Sequence, residues 1–302
     1  MNQQLISIVL CTYNGEKFLQ EQVESLLSQT YKNMEIIVSD DCSTDNTRNV
    51  LERYRNDPRF TIVLQERNLG PIKNFEHATS LAKGEFISFS DQDDIWLPEK
   101  LEKLHAAIGD KWLVYSDSEL VNEEGQRLGK KLSDLRNMYS GNDTRGFVFS
   151  NVVWGHAMLI NNDLLKHVLP IPSGVPHDIW MAFKAAALTG IHYVNEPLTL
   201  YRQHEHTVTK TVGAKTTSRP LSKRYKDFLE KLNWMEIMRS DERFFAFYDR
   251  LASMFALKEQ GKFVWKLFFF LLKYRSVLFQ FTKKSILSQV LEIRKLARGE
   301  QK

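Results

Sequence analysis

With 302 residues, 43% hydrophobic and 26% charged, the chain has an ordinary globular composition and enough apolar material for one large domain or two small ones. Its two cysteines, Cys11 and Cys42, exclude a disulfide framework and a metal cluster. The net charge of +4 hides an asymmetry: residues 1–209 carry 20 Lys and Arg against 28 Asp and Glu, and residues 210–302 carry 21 against 9, so an acidic body precedes a basic tail.

The opening MNQQLISIVLCTYNGEKF has no basic start, long apolar run or small-residue cleavage site. No secretory leader is expected, and the expected location is the cytoplasm or the inner face of the cell membrane. LISIVL (5–10), MEIIVS (34–39), RFTIVLQ (59–65) and EFISFS (85–90) have the character of buried strands. Between them lie three helical stretches. EKFLQEQVESLLSQ (16–29) has helical apolar spacing, STDNTRNVLERYRND (43–57) begins with capping residues, and GPIKNFEHATSLAKG (70–84) opens on Pro and closes on Gly. This alternation predicts βαβ units and a mostly parallel sheet with helices on both faces. Further on, KWLVYSDSEL and GFVFSNVVWGHAMLI read as strands, DIWMAFKAAALTG (178–190) as a helix, and IHYVNEPLTLYRQHEHTVT as short extended pieces. TKTVGAKTTSRP (209–220) reads as a linker or mobile loop, and the rest is helical in character, giving expected domains of 1–210 and 211–302.

Polar residues cluster after each of the first four strands, where ligands bind in a parallel α/β sheet. In SDQDD, Asp91 and Asp93 are spaced to face one hard cation, whereas an ordinary helix cap would account for one acid, Asp94, but not for three. Without a cation and a phosphate, such crowded carboxylates predict a weakly ordered loop. In DDCSTD, Ser43 and Asp45 suit caps, while Asp41 could accept the N3–H of a uracil or thymine that lies flat on Tyr13. His177-Asp178 starts a helix, so Asp178 is either a cap or a general base. In YRQHEH, Arg202 and His204 are either surface groups or contacts to a diphosphate or metal.

SIVLCTYNGEKFLQEQVESLLSQTYKNMEIIVSDDCSTDNT resembles the opening of the family 2 glycosyltransferases, which have the GT-A fold. RNLGPIKNFEHA, GEFISFSDQDDIWLPEKL, WGHAMLINNDLL, HDIWMAFKAAALTG and EPLTLYRQHEHTVT follow in the family's order, so the resemblance covers about residues 5–210. The last two are most similar to the rhamnosyltransferase-like branch, which builds bacterial surface polysaccharides. The resemblance implies that Tyr13 and Asp41 hold the nucleotide base with Thr12 close by, that Asn68 and Lys73 lie near the nucleotide or phosphates, and that Asp91 contacts the ribose or metal. It implies Asp93 as the main ligand of Mg²⁺ or Mn²⁺, with His204 approaching from the far side, and Asp178 as the catalytic base. Gly155 and His156 would border the acceptor or donor sugar, together with Asp94, Trp96 and His177. The implied reaction inverts the anomeric carbon of a nucleoside-diphosphate sugar, dTDP-rhamnose or a UDP-sugar, and passes it to a saccharide or lipid-linked acceptor. Two departures stand out. Cys42 replaces the Gly of DDGS, which predicts a different turn if that position needs positive φ, and RQHEHT replaces RQHGxN.

The tail, 263–299, is apolar and punctuated by Lys and Arg, but its longest apolar run, Leu267 to Leu272, falls far short of the ~20 residues that span a bilayer. It reads either as helices packed on the catalytic domain or on a second copy in a homodimer, or as a peripheral membrane contact with Trp265 at the interface and Lys283, Lys284, Arg294 and Lys295 facing anionic lipid. Nucleic acid is not an expected partner, because no recognised module or stacking platform accompanies the charge. Two other readings are set against the transferase. A nucleotidyltransferase would want a Gly/Arg-rich phosphate loop after the first strand, which CTYNG is not. A catalytically inert nucleotide-sugar-binding or membrane assembly protein would have no need to retain Asp41, Asp93 and Asp178 together.

Overall fold

The computed structural model describes residues 3–204 and 221–300. The linker expected at 209–220, the domain boundary at 210 and the contacts of RQHEHT beyond His204 lie outside the described residues. Two compact units are present, one of 3–134, 138–142 and 153–204, the other of 135–137, 143–152 and 221–300.

The first unit alternates β1 (Ile6–Thr12), α1 (Leu19–Leu27), β2 (Met34–Asp40), α2 (Thr47–Glu52), β3 (Phe60–Leu64), α3 (Pro71–Ser80) and β4 (Phe86–Ser90). Then come β5 (Ile95–Trp96), α4 (Lys100–Ala107), β6 (Leu113–Val121), β7 (Arg127–Lys131), α5 (Leu132–Leu135), β8 (Met158–Asn161), α6 (Leu165–Val168), α7 (His177–Leu188) and β9 (Ile191–Arg202). The sheet runs β3-β2-β1-β4-β8-β6-β9-β5, with β7 on β6. It is parallel from β3 through β4, as the alternation predicts. β8 then enters antiparallel to both β4 and β6, and β6 pairs parallel with β9.

β1 is buried along nearly its whole length because both of its faces are covered. Ile6, Ile8 and Leu10 share a core with Leu19, Val23 and Leu26 of α1, Leu51 of α2 and Leu101 and Leu104 of α4. Successive strand residues point to opposite faces. On the other side of β4, Phe89 meets Phe75 of α3 and His177 of α7. Each strand end is thereby held between helices that begin or end beside it.

One expected strand is mostly something else. Across GFVFSNVVWGHAMLI (146–160) and its flanks, Thr144–Val148 and Gly155–Ala157 are 3₁₀ turns and only Met158–Asn161 pairs in the sheet. Phe147, Val148, Val152 and Val153 are buried without strand pairing, so an apolar run of strand length did not identify the backbone. The stretch IHYVNEPLTLYR, by contrast, forms one long strand, β9.

The second unit holds α8 (Leu221–Met238), α9 (Phe245–Ala256), α10 (Trp265–Lys273), α11 (Arg275–Leu278) and α12 (Ile286–Leu296). Leu251, Phe255, Leu267, Leu271 and Ile293 are buried in it. Residues 143–152 belong to this unit: Trp234 Nε1 donates to the Phe147 carbonyl at 2.9 Å, and Thr144 Oγ1 donates to Asp241 at 2.6 Å. Among the described residues, no helix is long and apolar enough to cross a membrane.

Candidate active site

The polar ends of β1, β2 and β4 are tied to each other before any ligand is considered. Gln92 is the hinge of that tie. Its Oε1 accepts the Tyr13 amide at 2.9 Å and its Nε2 donates to the Tyr13 carbonyl at 3.1 Å. A Cβ on Gly15 would fall 2.2 Å from Gln92 Oε1, so only glycine leaves room for this bridge. Thr12 Oγ1 donates to Asp40 at 3.2 Å, and Asp40 also accepts from Arg48 Nε at 2.9 Å. Tyr13 is held by its backbone and leaves its ring about half exposed at the strand end.

Asp41 is buried and accepts two backbone amides, Leu69 at 2.6 Å and Gly70 at 2.9 Å, at the start of α3. It therefore shapes the loop after β3, to which Asn68 also ties its carbonyl at 3.2 Å. Lys73 lies on the exposed flank of α3, paired with Glu76 at 2.9 Å. Cys42 keeps the left-handed backbone of the turn, at φ 63°, so the different turn expected from its Cys-for-Gly exchange is not what the chain adopts. Asp45 caps α2, accepting the Thr47 amide at 3.0 Å.

At the end of β4 the three carboxylates do not face one another uncompensated. Asp93 Oδ2 meets His204 Nε2 at 2.8 Å. Asp91 and Asp94 face Nδ1 of His156, at 3.7 and 3.5 Å. Asp94 accepts the Arg202 amide at 3.0 Å. The expectation of a weakly ordered metal-free loop rested on bare repulsion, and these partners remove that basis. Burial works against ionisation of Asp91, yet the hydrogen bond and charge of His156 hold its carboxyl below the usual range. Burial and the charge of Asp91 raise Asp93, against the His204 bond. Burial, then Asp93 and Asp91, push Asp94 well up.

Two expected roles change with burial. Trp96, placed beside the sugar from sequence, is packed in the core with α1 and α4, and its ring faces no crevice. Asp94 is also buried; it caps no helix and is bound by Arg202 instead of lying open to a sugar. Arg202, considered as a diphosphate contact, is likewise committed. Its Nε donates to the Asp93 carbonyl at 2.8 Å and its Nη2 pairs with Glu21 at 2.5 Å, clamping the loop from behind.

Lys100 is a site residue that no sequence pattern marked. It is fully buried, its ammonium sits 3.4 Å over the Trp96 ring and it donates to the His156 carbonyl. Burial pulls its pKa well down, while the charges of Asp94 and Asp91 pull it back up. The available signal was a lysine one turn past a buried Trp on a helix that starts beside the carboxylates.

His156 is buried, stacked on Tyr201 at 4.5 Å and hydrogen-bonded through Nε2 to Ser118 Oγ at 2.9 Å. His177 stacks on Phe75 at 4.2 Å, and its pKa is lowered by burial while the charges of Asp178 and Asp91 raise it. A Cβ on Gly155 would lie 2.7 Å from His177 Nε2, which brings Gly155, His156 and His177 into one wall. Asp178 is the second residue of α7, and its Oδ1 accepts the Ile179 amide at 2.7 Å.

The chemistry of the donors suits a hard or borderline divalent cation. One ligand atom from each of Asp91, Asp94 and His156 lies within 4.8 Å of the others, and Asp94 Oδ2 is buried with no hydrogen-bond partner. Carboxylate oxygens with an imidazole fit Mn²⁺ or Mg²⁺.

The sequence profile of glycosyl transferase family 2 matches residues 7–169, which take in β1 through β4, all but the first residue of β1, and the polar ends of those strands. The chain belongs to glycosyl transferase family 2. Among curated family members it is 42% identical over 102 residues to the Escherichia coli UDP-Glc:alpha-D-GlcNAc-diphosphoundecaprenol beta-1,3-glucosyltransferase WfgD, covering 34% of this chain and 40% of that one. An uncharacterised glycosyltransferase of Rickettsia typhi is 27% identical over 241 residues, 78% of this chain and 74% of the relative. In six curated relatives the match spans only 32–42% of their own length. Staphylococcus aureus TarS, solved with UDP-GlcNAc, superposes with a TM-score of 0.57 at 21% identity over 97% of this chain and 90% of that one. A Pyrobaculum calidifontis mannosyltransferase solved with GDP-Man and Mn²⁺ superposes at 0.52 and 18% identity, covering 78% and 64%. The family 2 chain thus has the GT-A fold of these structures.

Proposed function

We propose that the protein transfers a sugar from a nucleoside diphosphate to a hydroxyl of a growing surface polysaccharide or a lipid-linked saccharide, with inversion at the anomeric carbon. The observation that carries it is the convergence of the Asp91–Asp93 loop with the ends of β1 and β2: Gln92 ties that loop to Tyr13, and the Asp41 amide donates to the Thr12 carbonyl at 2.8 Å.

Tyr13 offers its half-exposed ring to a base, and Asp41, already anchored by two amides, keeps lone pairs for a base N–H. Asp91 and Asp93 form the more open edge of the loop, with side-chain exposures of 43% and 21%, and the charge of Asp91 raises the pKa of Asp93. That edge calls for a cation more than the buried Asp94–His156 side of the loop does, because Lys100 already offsets the charge of Asp94 there. Asp93 and His204 would hold Mg²⁺ or Mn²⁺, which when bound offsets the charge developing on the leaving diphosphate. Asp178, held at the start of α7, takes the acceptor hydroxyl's proton as the new bond forms. His156, His177 and Gly155 shape the wall on which the sugar would rest.

The donor is read as dTDP-rhamnose from the rhamnosyltransferase-like motifs, with UDP-hexoses and UDP-N-acetylhexosamines as the competing class, favoured by the UDP-Glc donor of WfgD and the UDP-GlcNAc bound to TarS. The acceptor in the WfgD name supports a lipid-linked one. Such an acceptor fits a peripheral membrane contact through 263–299, where Trp265 and Phe269 are exposed.

Calorimetric titration with UDP, dTDP and GDP, with and without Mn²⁺, tests the site. One nucleotide should bind in a metal-dependent manner, and Asp93→Ala should abolish the metal dependence. Failure of all three to bind under either condition would overturn the transferase reading and leave the fold untouched.

A further inference from the structure

The second unit contains a cleft of about 780 Å³ between α8, the turn after α9 and α12. Five cations line it: Arg224, Lys231, Lys258, Lys284 and Lys295. Three acids line it as well, Asp227, Glu292 and Glu300, and two of them are engaged with lining cations, Glu292 with Lys284 at 2.5 Å and Glu300 with Arg224 at 3.0 Å. Lys258 is the unusual member. Only 3% of it is exposed, and its ammonium lies 4.4 Å over the Phe255 ring and 5.5 Å over that of Phe228. Its ion pair is a long one, 3.9 Å to Glu300. Desolvation lowers its pKa to about 8, against the pull of Glu300. A buried ammonium with so incomplete a partner is a cost to the fold that an incoming anion would relieve.

The rim of the cleft identifies the kind of anion. Leu291 both lines the cleft and is half exposed, and Leu287, one turn earlier on α12, is 71% exposed, with Ile286 beside it at 64%. On a helix, residues three and four apart share a face. Leu287 and Leu291 therefore form a ridge alongside Ser288, Glu292 and Lys295, which face the cleft. A free phosphate has no use for an exposed apolar ridge, whereas a phosphate with acyl chains attached matches both halves. We propose that this cleft binds the phosphate of an anionic lipid headgroup, with Lys258 as its buried contact and the Ile286–Leu287–Leu291 ridge set among the acyl chains.

This rests on the peripheral membrane reading above and adds to it a built headgroup site. The test is flotation of the full chain with phosphatidylcholine vesicles, with and without phosphatidylglycerol. Binding is expected only with the anionic lipid. Lys258→Met should weaken it at least tenfold without lowering Tm, and Lys258→Arg should retain it. Leu287→Ser with Leu291→Ser should also weaken it. Equal binding by wild type and Lys258→Met would overturn the headgroup site and leave membrane contact standing. Absence of binding to any vesicle would overturn both. Calorimetry with inorganic phosphate and pyrophosphate completes the set: Lys258-dependent binding of these without vesicle binding would make the cleft a free-phosphate site and overturn the lipid assignment.

Discussion

Cys42 occupies a left-handed turn, φ 63°, directly after Asp41, and its Cβ makes that backbone cost about 1 kcal/mol more than glycine would. Cys42→Gly should therefore raise the unfolding free energy by up to about 1 kcal/mol in denaturant titration, with nucleotide affinity unchanged. Lys100 shows the opposite sign. Its buried ammonium sits in the field of Asp94 and Asp91, so Lys100→Met leaves those charges uncompensated. A loss of about 3–5 kcal/mol is expected, with part recovered in the Lys100→Met, Asp94→Asn double variant. Asp178 belongs to chemistry and not to folding on the reading proposed here. Asp178→Asn should lower kcat by about 10²–10⁴-fold with little change in donor affinity, measured by nucleotide release.

Between elements, a few side chains do what strand pairing cannot. β1 and β4 pair in parallel only as far as Leu10 and Ser90, and past that point the Gln92–Tyr13 bridge keeps the two loops together. Gln92→Ala removes both hydrogen bonds and should cost about 1–3 kcal/mol. It should also raise the KM for the donor more than it lowers kcat, since it loosens the ring of Tyr13 without touching the proposed base. Gly15→Ala should reproduce the effect by steric means, because the new Cβ would displace the same amide. β9, between β6 and β5 in the sheet, serves a similar end, where Arg202 at its last position grips the loop between Asp93 and Asp94.

Across the whole molecule, charge is segregated along the chain, and Lys258 links that segregation to stability. Its folded-state pKa, about 8, lies below the ordinary lysine value of 10.5. Between those two pH values the unfolded chain binds more protons than the folded one, so stability rises with pH across the window, and below about 8 the full penalty remains. The rise should reach up to about 3 kcal/mol. Denaturant unfolding of wild type and Lys258→Met from pH 7 to 10.5 checks it: the difference between them should shrink as pH rises, with the variant the more stable at pH 7. Burial sets most of the effect; Glu300 opposes it, and the charges of Lys231 and Arg224 add to it.

The order of elements through β4, the parallel pairing and the placing of polar residues at the strand ends were determined by the sequence itself. Hydrophobic period and punctuation are local properties, and the strand-end rule then follows from topology. The motif residues Tyr13, Asp41, Asp91, Asp93 and Asp178 were legible for the same reason, because their types stand out at positions the alternation had already located. Tertiary structure alone decided which of them are open. Trp96 and Asp94 differ from Tyr13 and Asp93 in burial, and that burial depends on α1, β8 and β9, which are distant in sequence. It also decided that Lys100, which no motif marked, and Arg202, read from its motif as a possible diphosphate contact, lie behind the carboxylates, and that residues 143–152 belong with the C-terminal helices. A buried charge is stable only where long-range contacts bring it a partner, and those contacts are not written in any local pattern.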